Sequence, residues 1–297
     1  MIDLQGKVAV VAGATRGAGR GIAAALGAAG ATVYVTGRSV RGQASPMKRT
    51  ETIEETAELV NAKGGTGIAV RVDHTIEEDV VSLFERVKRE QNGRLDLLVN
   101  DIWGGDPLCT WGKPFWEQSL QDGLQMQKQA VHAHILTSYH GAPLMIANKS
   151  GLIIEITDGV DYKYRGNLYY SLAKVSAIHL AEAMAEELRP HGVTALSLTP
   201  GFLRSEAMLD HFGVTELNWR EGAAIDPHFI ASETPAYVGQ AVASLAADPN
   251  IAAKAGKALS TWQLSDEYGF VDADGSRPHW GRHFEAHFGG ESGKAAD

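Results

Sequence analysis

Tyr170 and Lys174 stand four residues apart in the run Tyr170-Ser171-Leu172-Ala173-Lys174. On a helix that spacing puts a phenol and an ammonium on one face, a turn apart. A free tyrosine titrates near about 10 and is a poor acid or base at neutrality. A neighbouring ammonium favours the phenolate and lowers that value toward the working range, so the pair is suited to proton transfer at an oxygen. Such pairs occur by chance on many helix surfaces, and this one takes its weight from what the chain sets around it.

The elements that must position the pair are written as short β-branched runs alternating with longer helical patterns. Strands are expected at Val8–Ala12, Thr32–Thr36, Gly67–Val72, Leu95–Asn100, Leu152–Thr157, Val193–Thr199 and Lys257–Ser260. Helices are expected near Gly19–Ala29, Thr52–Lys63, Ile76–Gln91, Phe115–Ala147, Tyr169–Arg189 and Pro235–Ala247. Near-continuous apolar strands joined by crossover-length helices imply a parallel sheet covered on both faces. With right-handed crossovers the sheet is doubly wound. The fold class expected is therefore α/β, a doubly wound Rossmann-type fold with a seven-stranded, mostly parallel sheet.

The first strand runs into Ala12-Gly13-Ala14-Thr15-Arg16-Gly17-Ala18-Gly19 and then a helix. Gly13 permits a tight turn, Gly17 lets backbone approach a diphosphate, and Gly19 lets the helix pack close to the strand. The helix N-terminus offers free N–H groups and the positive end of its dipole to an anion. This strand–turn–helix setting is what a dinucleotide site requires. An NAD site places an acid at the end of the second strand, for the ribose 2′-hydroxyl. Here the end reads Val35-Thr36-Gly37-Arg38-Ser39, with no acid before Glu51. Arg16 and Arg38, with Ser39, suit a 2′-phosphate, so NADP(H) is preferred and NAD(H) remains possible.

Together these residues resemble the short-chain dehydrogenase/reductase family from about Gln5 to Ser260. The landmarks run in order: Gly13/Gly17/Gly19, Asp73 after the third strand, Leu98-Val99-Asn100, Tyr170/Lys174 and Thr199-Pro200-Gly201. Gly151-Leu152-Ile153-Ile154 and Ser197-Leu198-Thr199-Pro200-Gly201 are most similar to the branch typified by dehydrogenase/reductase member 1. The resemblance implies that Asp73 holds the adenine with His74 beside it, and that Asn100 lines the cofactor groove. It further implies that Lys174 binds the nicotinamide ribose, that Pro200-Gly201 passes beneath the nicotinamide, and that Ser205 stands where a carboxamide- or phosphate-binding Thr is common. It also implies a homodimer or homotetramer.

The chain departs from that pattern where the family's substrate-binding Ser stands. Here Ile156-Thr157-Asp158-Gly159 offers either Thr157, by spacing back from Tyr170, or Asp158, by position on the strand. Thr157 is favoured, because an ionised Asp158 only accepts hydrogen bonds and would repel a developing alkoxide. The usual Asn-Asn-Ala-Gly becomes Asn100-Asp101-Ile102-Trp103, putting Asp101 and Trp103 near the substrate. The family's helical Asn is not evident near Lys128-Gln129. The function expected is hydride transfer between NADP(H) and a small carbonyl or alcohol substrate. The alternative is a dinucleotide-binding sensor or scaffold with degraded catalysis.

One domain is expected over 1–297, with a cofactor half at about 5–150 and a catalytic half at about 151–261. A substrate lid is expected at about 201–234 and a C-terminal extension at about 262–297. His279, His283 and His287 recur every four residues, but their aromatic neighbours favour packing, and no metal site is expected. His132 and His134 are expected to pack or face solvent. The formal charge of −9 argues against a nucleic-acid partner. Long apolar runs are absent, which argues against a membrane partner. The single Cys109 fits a reducing compartment. No secretory signal is evident at Met1–Lys7, so a cytoplasmic enzyme is expected.

Overall fold

A computed structural model describes residues 2–43, 47 and 49–288. The strands are β1 (Val8–Ala12), β2 (Thr32–Gly37), β3 (Thr66–Arg71), β4 (Leu97–Asn100), β5 (Gly151–Ile156), β6 (Val193–Thr199) and β7 (Ala258–Ser260). They form one seven-stranded sheet in the order β3-β2-β1-β4-β5-β6-β7. Every pairing is parallel. The α/β, doubly wound expectation is met, and the short β7 closes the edge. The order in which strands are added reverses between β1 and β4, and the carboxyl ends of those strands open a crevice of the kind in which such sheets bind ligands.

Helices α1 (Gly17–Ala28), α2 (Ile53–Ala62) and α8 (Pro235–Ala247) cover one face. The other is covered by α3 (Glu77–Glu90), α5 (Ala133–Asn148) and α6 (Leu168–Leu188). Alternate residues of β1 serve the two layers: Ala9 and Val11 face one core, Val8 and Val10 the other. At the α1–α8 crossing a Cβ on Gly21 would lie 2.0 Å from the Pro235 carbonyl oxygen, so only glycine allows this approach.

The segment 115–147, read as one helix, is four pieces. A 3-10 turn (Phe115–Glu117) precedes α4 (Leu120–Gln127), which Ser119 caps through the Asp122 amide. A single π turn, Lys128–His132, then leads into α5. π turns are uncommon and gather at functional sites; this one faces the crevice through Gln129. After β6, the region expected as a lid folds as α7 (Glu206–Phe212) and two 3-10 turns, Trp219–Ala224 and Pro227–Ala231. Phe212, Trp219 and Phe229 bury one another as a small separate core. That accounts for their irregular spacing: they pack in a cluster and not along one face. The extension forms α9 (Thr261–Tyr268) and α10 (Trp280–Phe288). The part expected at 289–297 lies outside the described residues. Among the described residues no helix is long and apolar enough to cross a membrane.

Candidate active site

A cleft of about 450 Å³ opens at the carboxyl ends of β1 and β4. That volume is in the range of small-ligand sites. Of the residues singled out in the sequence, Gly13, Thr15, Arg16, Gly17, Arg38 and Ser39 line it. Asp73, His74, Thr157, Asp158, Tyr170, Lys174, Pro200, Gly201 and Ser205 line it as well. Gly19 and Asn100 do not. Gly19 packs against the turn, where a Cβ would lie 2.5 Å from the Gly13 carbonyl oxygen, as its expected role requires.

Asn100 is a correction. Its side chain is fully buried and turned from the cleft, with Nδ2 donating to Ser138 Oγ at 2.9 Å and to Glu155 Oε1 at 2.7 Å. Glu155 accepts in turn from His134 Nδ1 at 2.5 Å, and His134 Nε2 donates to the Ile102 carbonyl at 3.0 Å. Both ring nitrogens face oxygens that can accept, an arrangement that suits the protonated ring. Burial opposes that charge, but Glu155 outweighs it and raises the His134 pKa. His134 therefore pins the loop that carries Asp101 and Trp103 to the sheet. The sequence held one signal of this: Glu155 interrupts an otherwise apolar strand, and a buried carboxylate must find partners.

Tyr170 and Lys174 sit at the start of α6, which Asn167 caps by accepting from the Tyr170 amide at 3.0 Å. The Tyr170 hydroxyl donates to Asp158 Oδ2 at 2.9 Å. Thr157, the favoured donor, gives its hydroxyl proton to the Lys174 carbonyl at 2.7 Å. The residue facing the phenol is thus Asp158, because the β5 pleat turns Thr157 toward α6. Arg165 fixes the Asp158 backbone, donating from Nε to its carbonyl at 2.6 Å and from Nη2 to Asp161 O at 2.6 Å. Nothing local in the sequence marks that role for Arg165.

Lys174 Nζ lies 4.0 Å from the centre of the Trp103 ring. Burial lowers its pKa, while Asp158, Asp101 and Asp106 act to raise it. Tyr170 does not follow the expected direction. Burial, and then the Asp158 charge and hydrogen bond, push the phenol well above its ordinary value. Asp101 is pushed up to about 7, burial being opposed by Lys174 and the Gly19 amide. Trp103 and Trp111 meet the Tyr170 ring edge-on at 5.6 and 5.3 Å.

At the other end of the cleft Arg38 lies 3.7 Å from Asp73, and Arg16 lies 3.5 Å from Glu51. Asp73 also accepts from the Thr75 amide and hydroxyl, at 3.0 and 2.7 Å, as a turn carboxylate does. His74 is buried between Thr36 and Thr137, each 2.8 Å from a ring nitrogen, and burial brings its pKa down to about 3. Ser205 caps α7 by accepting from the Met208 amide. Beside it the Glu206 carboxylate accepts from the Gly17 amide at 2.8 Å, at the N-terminus of α1. The sequence did not single out Glu206, because it reaches Gly17 only through the packing of the start of α7 against the turn. Among the histidines of the extension, His283 and His287 meet His228 from the lid, whereas His279 lies apart, 3.5 Å from Asp266.

The family described as short chain dehydrogenase matches residues 7–212. Dehydrogenase/reductase SDR family member 1 of Mus musculus is 38% identical over 92% of this chain and 85% of its own length. The Aquifex aeolicus 3-oxoacyl-[acyl-carrier-protein] reductase FabG is 32% identical over 69% of this chain and 77% of its own. A crystal structure of a short chain dehydrogenase from Mycobacterium thermoresistibile superposes with TM-score 0.77 at 22% identity, covering 94% of this chain and 93% of that one. With its parallel sheet and its matched span, the chain belongs to the short chain dehydrogenase family, whose members are oxidoreductases that use NAD(P) on small molecules.

Proposed function

We propose that this protein is an NADP(H)-dependent reductase of carbonyl compounds, with Tyr170 as the acid. The observation that carries the reading is the Tyr170 hydroxyl, poised in the cleft on Asp158 at 2.9 Å and flanked by two indoles. The residues present fit a dinucleotide. A Cβ on Gly13 would lie 2.3 Å from the Asp101 carbonyl oxygen, and the Gly17 amide already receives an anion, the Glu206 carboxylate. Arg16, Arg38 and Ser39 would hold a 2′-phosphate at the far end, and no acid follows β2 to hold a bare ribose. Lys174 would hold the nicotinamide ribose, with Pro200 and Gly201 beneath the ring. When bound, the cofactor supplies the hydride.

The rest of the chemistry falls to side chains. Trp103 lines the cleft and Trp111 meets the Tyr170 ring from outside it, so both would put apolar surface near a bound carbonyl. Tyr170 protonates the forming alkoxide. Asp158 keeps the phenol protonated until then, so the acid form is the one that meets a bound carbonyl. Lys174 holds positive charge beside the developing oxyanion. Asp158 offers no proton of its own when ionised, so stabilisation of that oxygen rests on Tyr170 and Lys174.

The test is to titrate the protein with NADPH and NADH, then to assay turnover across aldehydes, ketones and quinones. NADPH should bind tighter, and Tyr170→Phe should lower turnover by about 10²–10⁴-fold while leaving NADPH affinity intact. A Tyr170→Phe variant with wild-type turnover would overturn the assignment. Tight NADPH binding without oxidation by any carbonyl would instead favour a dinucleotide sensor, the reading that the Asp158 substitution motivates.

A further inference from the structure

The lid and the C-terminal extension meet through three imidazoles. His228 belongs to the 3-10 turn Pro227–Ala231, and His283 and His287 stand one turn apart on α10. One nitrogen from each lies within 4.8 Å of the others. His228 Nδ1 and His283 Nε2 are 3.1 Å apart, and the His283 and His287 rings stack with centroids 4.1 Å apart. Zinc binds imidazole nitrogen at about 2.0–2.1 Å in a tetrahedron, so ligand nitrogens sit roughly 3.4 Å from one another. One pair already has that spacing, and a small side-chain rotation brings in the third.

A second observation concerns protons. His287 Nδ1 lies 2.8 Å from the His283 carbonyl oxygen. A carbonyl only accepts, so this nitrogen carries the proton and Nε2 is left with a free lone pair. A backbone carbonyl that fixes the tautomer in this way is the usual outer support of a metal-bound histidine. His287 is exposed and His228 and His283 are half-buried, so the cluster opens to water.

We propose that His228, His283 and His287 form a zinc site that clamps α10 to the lid, with water as the fourth ligand. The metal replaces the proton shared between His228 and His283, and both then hold their protons on the outward nitrogens. The clamp lies one turn from Trp280, whose ring stacks on His283 with centroids 5.4 Å apart. Trp280 in turn packs on Gly201, where a Cβ would lie 2.8 Å from the Trp280 Cβ, and on Phe202 at 5.8 Å between ring centroids. The site therefore braces the Pro200-Gly201 side of the cleft from outside without touching the reacting groups.

The test uses untagged full-length protein freed of metal by chelation and titrated with zinc sulfate by calorimetry. Cobalt(II) serves as a second probe, for the visible absorption of its tetrahedral complexes. One zinc should bind per chain. His228→Ala, His283→Ala and His287→Ala should each weaken binding at least about tenfold. His279→Asn, which keeps the acceptor at the Arg282 amide, should bind as the wild type does. Zinc should raise the melting temperature of the wild type by mass action and leave that of His287→Ala unchanged. His287 is exposed, so its variant folds even if changes at His283 do not. Absence of saturable binding to the wild type would overturn the proposal. So would equal loss in His279→Asn, or wild-type affinity in His287→Ala.

Discussion

Asp158 and Tyr170 form the shortest link between this chain's particular residues and its chemistry. A hydroxyl in the place of Asp158 would give the substrate oxygen a second donor, whereas a carboxylate takes the phenol's proton as acceptor at 2.9 Å. After burial, that carboxylate is the largest cause of the raised Tyr170 pKa. Reduction needs the protonated phenol, so its rate falls as pH rises through the Tyr170 pKa. Asp158→Asn removes the charge and keeps an acceptor, so the phenol pKa drops. The expected outcome is an alkaline limb at lower pH in the variant than in the wild type, read from turnover against pH with NADPH saturating. An unmoved limb would mean that Asp158 does not control the phenol.

At the scale of elements, the lid and the phosphate turn share a contact that a ligand must replace. Glu206, at the start of α7, places its carboxylate on the Gly17 amide at the N-terminus of α1. In the proposed function that terminus receives a diphosphate, so Glu206 and a dinucleotide would compete for one donor. The start of α7 is therefore tied to the turn by a side chain that stands where the proposed ligand would bind. Removing the competitor at a cost of about 1.4 kcal/mol corresponds to a tenfold change in affinity. Glu206→Ala should bind NADPH roughly tenfold more tightly by fluorescence titration, and weaker binding would show that Glu206 assists the cofactor.

Across the whole molecule, Glu233 is the point where the end of β6, the lid and α9 are joined. It is buried and accepts from the Gly201 amide at 2.9 Å and from Thr261 Oγ1 at 2.7 Å. Burial pushes its pKa from 4.5 up to about 8. Between those values the folded protein holds a proton that the unfolded chain has released, so stability falls as pH rises through this window, by at most about 1.4 kcal/mol per pH unit. The melting temperature of the wild type should decline from pH 5 to pH 8. Glu233→Gln, which cannot ionise, should decline less. Parallel curves would show that Glu233 is ionised at neutrality.

Much of this protein is determined locally, and the sequence alone carries that part. The strand runs, the glycine turn into α1 and the Tyr170–Lys174 spacing each depend on neighbours within a turn or a pleat. The doubly wound sheet follows from them because parallel strands with helical crossovers allow few other arrangements. What only the tertiary structure decided is where buried charge goes. Glu155, Asn100 and His134 come from three elements and meet because a carboxylate on an inner strand must be matched. Whether Thr157 or Asp158 faced Tyr170 depended on the β5 pleat, which spacing from Tyr170 does not reveal. The zinc ligands divide in the same way: the four-residue repeat offered His279, His283 and His287, and the folded lid put His228 in the place of His279. Repeat spacing reports one helix face, whereas a site between segments is set by how those segments pack.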